Sequence, residues 1–263
     1  MSKLFDSHAH YNDTRFDTEF EGGAHALLSQ LFSGEVGSII NVATNMADAP
    51  AVIEMAAKYP NMYVAVGIHP EDAQKSADLD AELCALDELL AHKKEHKIVA
   101  LGEIGFDYYW QPVDKELQAK AFEAQMRLAQ KHGLPVSVHD REAHGDSLDM
   151  ICRFPEVRGV FHSYSGSAEM ARELVKRGWF ISFSGVVTFK NAERVRAVAK
   201  TVPSDRLLIE TDAPYLAPHP YRGKLNRSDY TRYTAETLAE LFGMTYEDMK
   251  ALTEDNARRL FLV

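Results

Sequence analysis

Two histidines separated by one residue follow the first apolar run of the chain, in the segment Asp6-Ser7-His8-Ala9-His10. Side chains two residues apart in a strand point to the same side, so His8 and His10 can reach one metal ion together. Taken alone, the pair is equally compatible with two polar residues at the exit of a strand. Its meaning depends on which other ligand-type side chains the fold brings close to it.

Side chains of the same chemical types stand at the ends of four later apolar runs. These are Glu103, His139, His162 and Asp212. Each one alone could be a polar group satisfied by its neighbours. Burying all of them together with the first two histidines would be costly without a cation. The pattern therefore predicts a metal site with six ligands: His8, His10, Glu103, His139, His162 and Asp212.

The elements that must position these residues follow from the hydrophobic pattern. Eight short runs of aliphatic and β-branched residues occur at 4–7, 38–43, 62–68, 98–104, 135–139, 159–163, 180–184 and 207–211. Apolar residues at helical spacing separate them, as in residues 114–132. This repeated alternation predicts a parallel sheet covered by helices. An open doubly wound sheet is the alternative to a closed barrel.

The length favours the barrel. A (β/α)8 TIM barrel takes roughly 250 residues, and the chain has 263. No linker or low-complexity tract divides it, so we expect residues 1–263 to form a single α/β domain. The carboxyl ends of barrel strands meet at one rim, where the active sites of such enzymes lie. The six candidate ligands are then expected to converge at that rim.

Six ligands are more than one catalytic metal ion needs, because such a site keeps an open position. Two divalent ions bridged by a carboxylate and a hydroxide would use the set economically, and Glu103 is the predicted bridge. One ion would be held by His8, His10 and Asp212, and the other by His139 and His162. Nitrogen and oxygen donors suit Zn, Mn, Fe or Co, and Mg less well. Asp212 is also a candidate proton acceptor for the attacking water.

The bulk properties narrow the class of protein. The formal net charge of −10 argues against a protein that coats nucleic acid, which would present a basic surface. No run of about 20 apolar residues could span a membrane, and the first residues do not resemble the apolar core of a signal peptide. Cys84 and Cys152 are expected to be free thiols in a reducing compartment. A cytoplasmic location is expected.

Seven ordered segments of the chain resemble the TatD-type metal-dependent deoxyribonucleases of the amidohydrolase superfamily, and the resemblance runs from Phe5 to the C-terminus. The segments are FDSHAH (5–10), VGIHP (66–70), GEIGFDY (102–108), PVSVHDREA (135–143), FHSYSG (161–166), TFKNA (188–192) and ETDAPYL (210–216). The resemblance implies a (β/α)8 fold, a divalent-metal site and hydrolysis of phosphodiester bonds in DNA. Carried over residue by residue, it assigns the same six side chains as metal ligands.

The expected activity is that of a deoxyribonuclease, and some members of the family are similar to 3′-to-5′ exonucleases acting on single strands. The expected partner is therefore the end of a DNA strand, with RNA as an alternative polymer. A two-metal hydrolase of a small ester, amide or phosphoester is the first alternative, because the fold does not choose among these chemistries. A metal-binding interaction module without catalysis is the second.

Several further residues are candidates for contacts around the site. His69, Arg141, Arg222 and Lys224 are predicted to bind substrate, the last three because cationic groups suit phosphate oxygens. Glu210, two residues before Asp212, is predicted to orient a ligating histidine. Aromatic side chains that could stack on the bases of a single strand are Tyr108, Tyr109, Trp110 and Tyr164.

The chain departs from the family pattern at two places. After the eighth strand the family commonly reads Arg-Gly-Lys-x-Asn-Glu-Pro, whereas here Arg227-Ser228 replaces the Glu-Pro. Tyr11, just after the histidine pair, is bulkier than the usual aliphatic residue. Neither change touches a predicted ligand, so we expect any effect to fall on substrate preference.

Overall fold

The computed structural model describes residues 2–263, in which eight β-strands alternate with helices. The strands are β1 (Leu4–Ala9), β2 (Val36–Ala43), β3 (Met62–Val66), β4 (Ile98–Asp107), β5 (Val136–Arg141), β6 (Gly159–Phe161), β7 (Phe180–Phe183) and β8 (Leu207–Ile209). Each strand pairs in parallel with the next one along the chain, so the order in the sheet is the order in the sequence.

Eleven α-helices occur in residues 2–263, and most of them connect consecutive strands. They are α1 (Arg15–Glu19), α2 (Gly23–Ser33), α3 (Ala49–Ala57), α4 (Pro70–Lys75), α5 (Leu79–Ala91), α6 (Lys115–His132), α7 (His144–Cys152), α8 (Ala168–Lys176), α9 (Glu193–Ala199), α10 (Thr231–Phe242) and α11 (Tyr246–Phe261). The last two, α10 and α11, follow the loop after β8.

The sheet curves until its first and last strands meet. The amide of His10 donates to the carbonyl of Ala213 at 2.7 Å, and the amide of Asp212 donates to the carbonyl of His8 at 2.9 Å. A parallel bridge between Ala9 and Ala213 accompanies these bonds. The fold is therefore a single-domain, nearly closed (β/α)8 barrel, as predicted, and the open doubly wound alternative is excluded.

Apolar side chains fill the barrel below the rim that carries the candidate ligands. Phe5, Val42, Val160 and Leu208 belong to a buried cluster that also contains residues of α11. Phe261 of that helix stacks against Phe5, with ring centroids 6.3 Å apart. The C-terminal helix thus closes the bottom of the barrel, and the opposite end remains available for polar side chains.

Two buried glutamines of α6 bind backbone groups just after β3 and at the end of β4. Gln125 accepts from the amide of Ile68 at 2.7 Å. Gln118 accepts from the amide of Asp107 at 2.9 Å and donates to the carbonyl of the same residue at 2.8 Å. Since buried backbone groups need partners, these side-chain amides satisfy backbone groups at the edge of the site that strand pairing leaves free.

The observed strand ends correct two sequence-based positions. β4 continues to Asp107, so Glu103 lies inside the strand and not at its end. β3 stops at Val66, so His69 lies beyond the strand, where it caps the N-terminus of α4. In the first case strand pairing with β5 continues further than the apolar run; in the second, Pro70 starts a helix and directs the chain out of the sheet.

Cys84 in α5 and Cys152 in α7 are both free thiols. Among residues 2–263, no helix combines the length and the apolar character that crossing a bilayer requires.

Candidate metal centre and active site

All six predicted ligands lie together at the carboxyl-terminal rim of the barrel. His8 belongs to β1 and His10 follows it, whereas Glu103 and His139 belong to β4 and β5. His162 follows β6 directly, and Asp212 lies three residues after β8. Donor atoms from these six residues, together with His69, form overlapping groups of three in which all atoms lie within 4.8 Å of one another.

The Glu103 carboxylate lies between two groups of histidines. Its Oε2 atom is 3.3 Å from Nε2 of His8 and 3.6 Å from Nε2 of His10. Its Oε1 atom is 2.6 Å from Nδ1 of His139 and 2.8 Å from Nε2 of His162. Each carboxylate oxygen therefore faces a different pair of imidazoles, which is the arrangement expected of a residue that bridges two cations.

Two glycines allow Glu103 to enter this position. Gly102 and Gly105 adopt φ angles of 152° and 145°, a region that side chains with a Cβ atom rarely occupy. A Cβ atom on Gly105 would lie only 2.0 Å from the carbonyl oxygen of His139. The two glycines thus let β4 pass close to β5, which brings the carboxylate among the histidines.

Asp212 faces the first pair of histidines. Its Oδ1 atom lies 3.4 Å from Nε2 of His10 and 4.0 Å from Nε2 of His8. Its backbone has a φ of 58°, a left-handed conformation that aspartate adopts more readily than most residues. The preceding residue, Thr211, is anchored because its amide and hydroxyl both donate to the buried carboxylate of Asp6, at 2.9 and 2.6 Å.

Three of the four histidines predicted to bind metal have their outer ring nitrogen within hydrogen-bond distance of a partner. His8 Nδ1 lies 3.2 Å from the Ser137 hydroxyl, and His10 Nδ1 lies 3.1 Å from the carbonyl of Val42. His139 presents its Nε2 atom to a carboxylate oxygen of Asp107 at 3.0 Å. Contacts of this kind fix ring orientation and tautomer in metal sites. The inner nitrogens, which face Glu103, are left to bind a ligand.

Sequence reasoning missed Asp107. The residue is buried at the end of β4, and its second oxygen accepts from the amides of Tyr109 and Trp110 at 2.9 and 3.2 Å. One carboxylate therefore orients His139 and shapes the following turn. The available signal was its position four residues after Glu103, an even number that places both side chains on the same face of a strand.

Glu210, predicted to orient a ligating histidine, approaches the fourth histidine at a longer distance than the other partners. Its Oε1 atom accepts from the amide of Ser163 at 2.7 Å and lies 3.5 Å from Nδ1 of His162. The His162 Nδ1 atom and the Glu210 Oε2 atom are both buried without a hydrogen-bond partner. The Glu210 carboxylate lies where it can orient the His162 ring, and each of the two side chains still has one buried polar atom free to form a hydrogen bond.

His69 differs from the other histidines in the direction of its hydrogen bonds. Its Nδ1 atom accepts from the amide of Glu71 at 3.2 Å, as the N-cap of α4. Burial lowers the pKa of His69 to about 3, so the ring is neutral and its proton is on Nε2. That atom lies 3.6 Å from Glu103 Oε1. It is a hydrogen-bond donor in this tautomer and has no lone pair to offer a metal ion.

The charges in the cluster depend on one another. Burial by itself would raise the pKa of the Glu103 carboxyl, but the neighbouring His162 and His139 hold that pKa well below its ordinary value. Burial would likewise lower the pKa of His139, yet hydrogen bonds to Asp107 and Glu103 raise it to about 9. The carboxyl of Glu103 and the imidazole of His139 therefore each favour the charged form of the other.

The arrangement of these donor atoms suits divalent metal ions. The inner nitrogens of His8 and His10 are 3.2 Å apart, and those of His139 and His162 are 3.3 Å apart. Each pair of facing nitrogens has room for only one proton between its two atoms. Such convergence of lone pairs around a buried carboxylate suits a cation better than a proton. The donor set is the nitrogen–oxygen mixture typical of Zn, Mn, Fe and Co sites.

The cluster opens into a cleft with two unlike arms. The narrow arm has a volume of about 360 Å³ and is lined by mostly neutral side chains, including Ser163, Tyr164, Val187 and Leu216. The wide arm has a volume of about 880 Å³, and its wall carries the acidic residues Asp13, Asp48, Glu71 and Asp72 together with His69 and Trp110. Five residues line both arms: Glu103, His139, Arg141, Asp212 and Tyr215.

The predicted cationic contacts differ in their positions. Arg141 is exposed at the junction of the two arms, and no carboxylate of residues 2–263 pairs with its guanidinium within 4 Å. Arg222 lies over the ring of Phe189 at 4.5 Å. Neither Arg222 nor Lys224 lines either arm, so the structure places them outside the immediate cleft.

Comparison with known proteins gives a family match over almost the whole chain. The family model described as TatD related DNase matches residues 5–262. The chain belongs to this family. The TatD assignment, made from seven sequence motifs, is thereby confirmed. An uncharacterized metal-dependent hydrolase of Bacillus subtilis, YabD, is 40% identical over 99% of both chains. The uncharacterized metal-dependent hydrolase YcfH of Escherichia coli is 35% identical, over 98% of this chain and 95% of its own length.

A solved structure supports both the family and the fold. The crystal structure of the TatD homologue YJJV from Escherichia coli superposes with a TM-score of 0.89 at 30% identity, and it covers 99% of this chain and 98% of its own. The protein is therefore a metal-dependent hydrolase of the TatD family with a (β/α)8 barrel. The names of YabD and YcfH specify a metal and a hydrolytic reaction but no substrate.

Proposed function

We propose that this TatD-family hydrolase is a two-metal deoxyribonuclease that removes nucleotides from the 3′ ends of single-stranded DNA, with RNA as a further polymer. The observation that carries the proposal is the Glu103 carboxylate, whose two oxygens face separate pairs of histidines at 2.6–3.6 Å. The family description, TatD related DNase, supports DNA as the substrate class.

The six clustered residues would hold the two ions in the division expected from the strand order. Glu103 would contact both ions, with His8, His10 and Asp212 at one and His139 and His162 at the other. Two such ions supply hydroxide from water near neutral pH and stabilise negative charge on attacking and leaving oxygens. This chemistry suits a phosphodiester, whose charge increases in the transition state.

The side chains around the ions divide the remaining tasks. Asp212, the more exposed of the two carboxylates, accepts the proton lost by the attacking water. His69 donates a hydrogen bond from Nε2–H to a phosphate oxygen, because its other nitrogen already accepts from the Glu71 amide. Arg141 binds the phosphate at the junction of the arms, where a planar guanidinium can make two contacts at once. Arg222 and Lys224 bind phosphates farther along the strand.

The test is digestion of a short single-stranded DNA in the presence of Mg²⁺ or Mn²⁺, with wild type beside Asp212→Ala. The proposal predicts stepwise shortening by the wild type and at least a hundredfold slower shortening by the variant, because one residue supplies both a ligand and the proton acceptor. Strands that stay intact with every metal would refute it.

One observation favours a second candidate, hydrolysis of a small ester, amide or phosphoester. Four carboxylates outside the metal cluster, those of Asp13, Asp48, Glu71 and Asp72, line the wide arm against two cations, Lys75 and Arg141. This excess of negative charge would repel a long polyanion within about 8 Å at physiological ionic strength. A small substrate avoids that repulsion. Selective turnover of chromogenic esters or phosphoesters without cleavage of DNA would establish this function in place of the first.

A further inference from the structure

Four aromatic residues near the rim were candidates for stacking on bases, and the structure separates them. Tyr164 is buried, and its hydroxyl donates to the carbonyl of Ser167. The ring of Tyr108 is covered by the ammonium of Lys115 at 4.0 Å, and its hydroxyl donates to Asp146. Tyr109 and Trp110 remain, with 46% and 51% of their surface exposed.

The turn that carries these two residues is fixed to the metal centre. Their amides both donate to one oxygen of Asp107, and the other oxygen of the same carboxylate contacts His139. Because Asp107 ends β4, the strand that contains Glu103, the turn is held in a defined position beside the site. Rigid support of this kind is what a substrate-positioning surface requires.

Arg141 lies against the same turn. Its guanidinium carbon is 3.9 Å from the centroid of the Tyr109 ring and 5.5 Å from that of Trp110. The two aromatic rings meet edge to face, with an interplanar angle of 86°. Tyr109 therefore supports the cation, whereas the indole of Trp110 extends into the wide arm with half of its surface free.

An exposed aromatic face beside an unpaired guanidinium matches the two halves of a nucleotide. Aromatic side chains stack on unpaired bases, and arginine binds phosphate oxygens in two-point contacts. A base inside a duplex has both faces covered by its neighbours and cannot stack in this way. The carboxylates of Asp48 and Asp72 line the same arm; they disfavour a second phosphate there but can accept hydrogen bonds from the amino groups of a base.

We propose that Trp110 is a stacking platform for one unpaired base and that Arg141, held by Tyr109, binds the phosphate attached to it. This surface makes the enzyme select single strands. The inference rests on the proposed nuclease function, since it assigns the nucleotide that lies next to the scissile bond.

The tryptophan content of the chain provides a direct test. The chain has two tryptophans, and Trp179 is buried with 1% of its surface exposed. A fluorescence change on mixing with nucleic acid therefore reports on Trp110. The Mg²⁺-loaded protein is mixed in a stopped-flow instrument with a short oligodeoxyadenylate, with a strand of the same length made of abasic residues, and with a blunt duplex.

The proposal predicts rapid quenching by the oligodeoxyadenylate and none by the abasic strand or the duplex. Trp110→Ala should weaken binding of the adenylate about tenfold, since stacking is worth roughly 1–3 kcal/mol per base and 1.4 kcal/mol is tenfold. It should leave binding of the abasic strand unchanged. Trp110→Phe should lose the signal yet restore most of the affinity, and the emission of buried Trp179 reports whether each variant is folded.

The outcomes separate this inference from the function on which it rests. If the wild type shortens the strand but shows no quenching, or if Trp110→Ala has an unchanged KM, the stacking platform is refuted and the nuclease stands. Quenching without shortening in any metal supports the single-strand surface and refutes the nuclease. Absence of both signals overturns both proposals.

Discussion

The two departures from the family pattern, Tyr11 and Ser228, meet in the interior of the structure. The Tyr11 hydroxyl lies 2.7 Å from the hydroxyl of Ser228 and accepts from the Ser228 amide at 2.9 Å. The Ser228 hydroxyl donates in turn to Asp6 at 2.6 Å. Tyr11, Ser228 and Asp6 are all buried, and burial raises the pKa of Tyr11, which keeps its hydroxyl protonated as a donor.

Substitution of either residue leaves its partner unsatisfied. Tyr11→Phe leaves the buried amide and hydroxyl of Ser228 short of a partner, and Ser228→Ala leaves Tyr11 and Asp6 each without one contact. A buried group that loses its partner costs about 1–3 kcal/mol, so each single variant should lose about 2 kcal/mol of unfolding free energy. The double variant should lose about 3 kcal/mol, because the mutual hydrogen bond can be lost only once.

The assay is equilibrium unfolding in urea of the wild type, both single variants and the double variant, at one fixed metal concentration. Circular dichroism and fluorescence should give coincident transitions before a free energy is extracted. The coupling predicted by the cycle is about 1 kcal/mol. Losses that add to within about 0.3 kcal/mol would refute the reasoning, since they would mean that the two side chains act independently.

Three further predictions concern the metal centre and the fold. Asp107→Asn should weaken metal binding about 10- to 100-fold in a calorimetric Mn²⁺ titration, because it disturbs the carboxylate that orients His139; unchanged affinity would contradict that role. Removal of metal with EDTA should abolish hydrolysis and lower the melting temperature, since binding to the folded state alone stabilises it, and added Mn²⁺ should reverse both effects. Burial would raise the pKa of Glu35, but hydrogen bonds from Lys250 and Tyr246 lower it below 4.5. The stabilising contribution of the Glu35 carboxylate is then present above pH 4.5 and is lost as the pH falls through the lowered pKa. Glu35→Gln should therefore flatten the acid side of a plot of melting temperature against pH. An unaltered plot would exclude this linkage.

The barrel and the six clustered residues were predictable because they depend on local patterns. Each of the eight apolar runs falls on an observed strand, and residues at the carboxyl ends of parallel strands must meet at one rim. The position of Glu103 in the cluster was predicted correctly, but the end of its strand was not. Strand pairing continues beyond Ile104 through Gly105 and Asp107, which carry little hydrophobic signal.

The contacts behind the cluster could not be predicted in the same way. Predicting the role of Asp107 requires the true length of β4. Predicting the tautomer of His69 requires the short helix that begins at Pro70. The pairing of Tyr11 with Ser228 joins residues 217 positions apart. Such long-range hydrogen bonds leave no periodic pattern in a single sequence, so two departures that looked independent proved to be in direct contact.

The central claim is that Glu103 joins two metal-binding groups in one site, and metal stoichiometry tests it most directly. The measurement is a calorimetric titration of the metal-free protein with Mn²⁺, for the wild type and for Glu103→Ala, with the metal content of each checked by elemental analysis. The account predicts two ions per wild-type chain and the loss of tight binding at both positions in the variant. A single ion in the wild type, or two ions still tightly bound without Glu103, would contradict it.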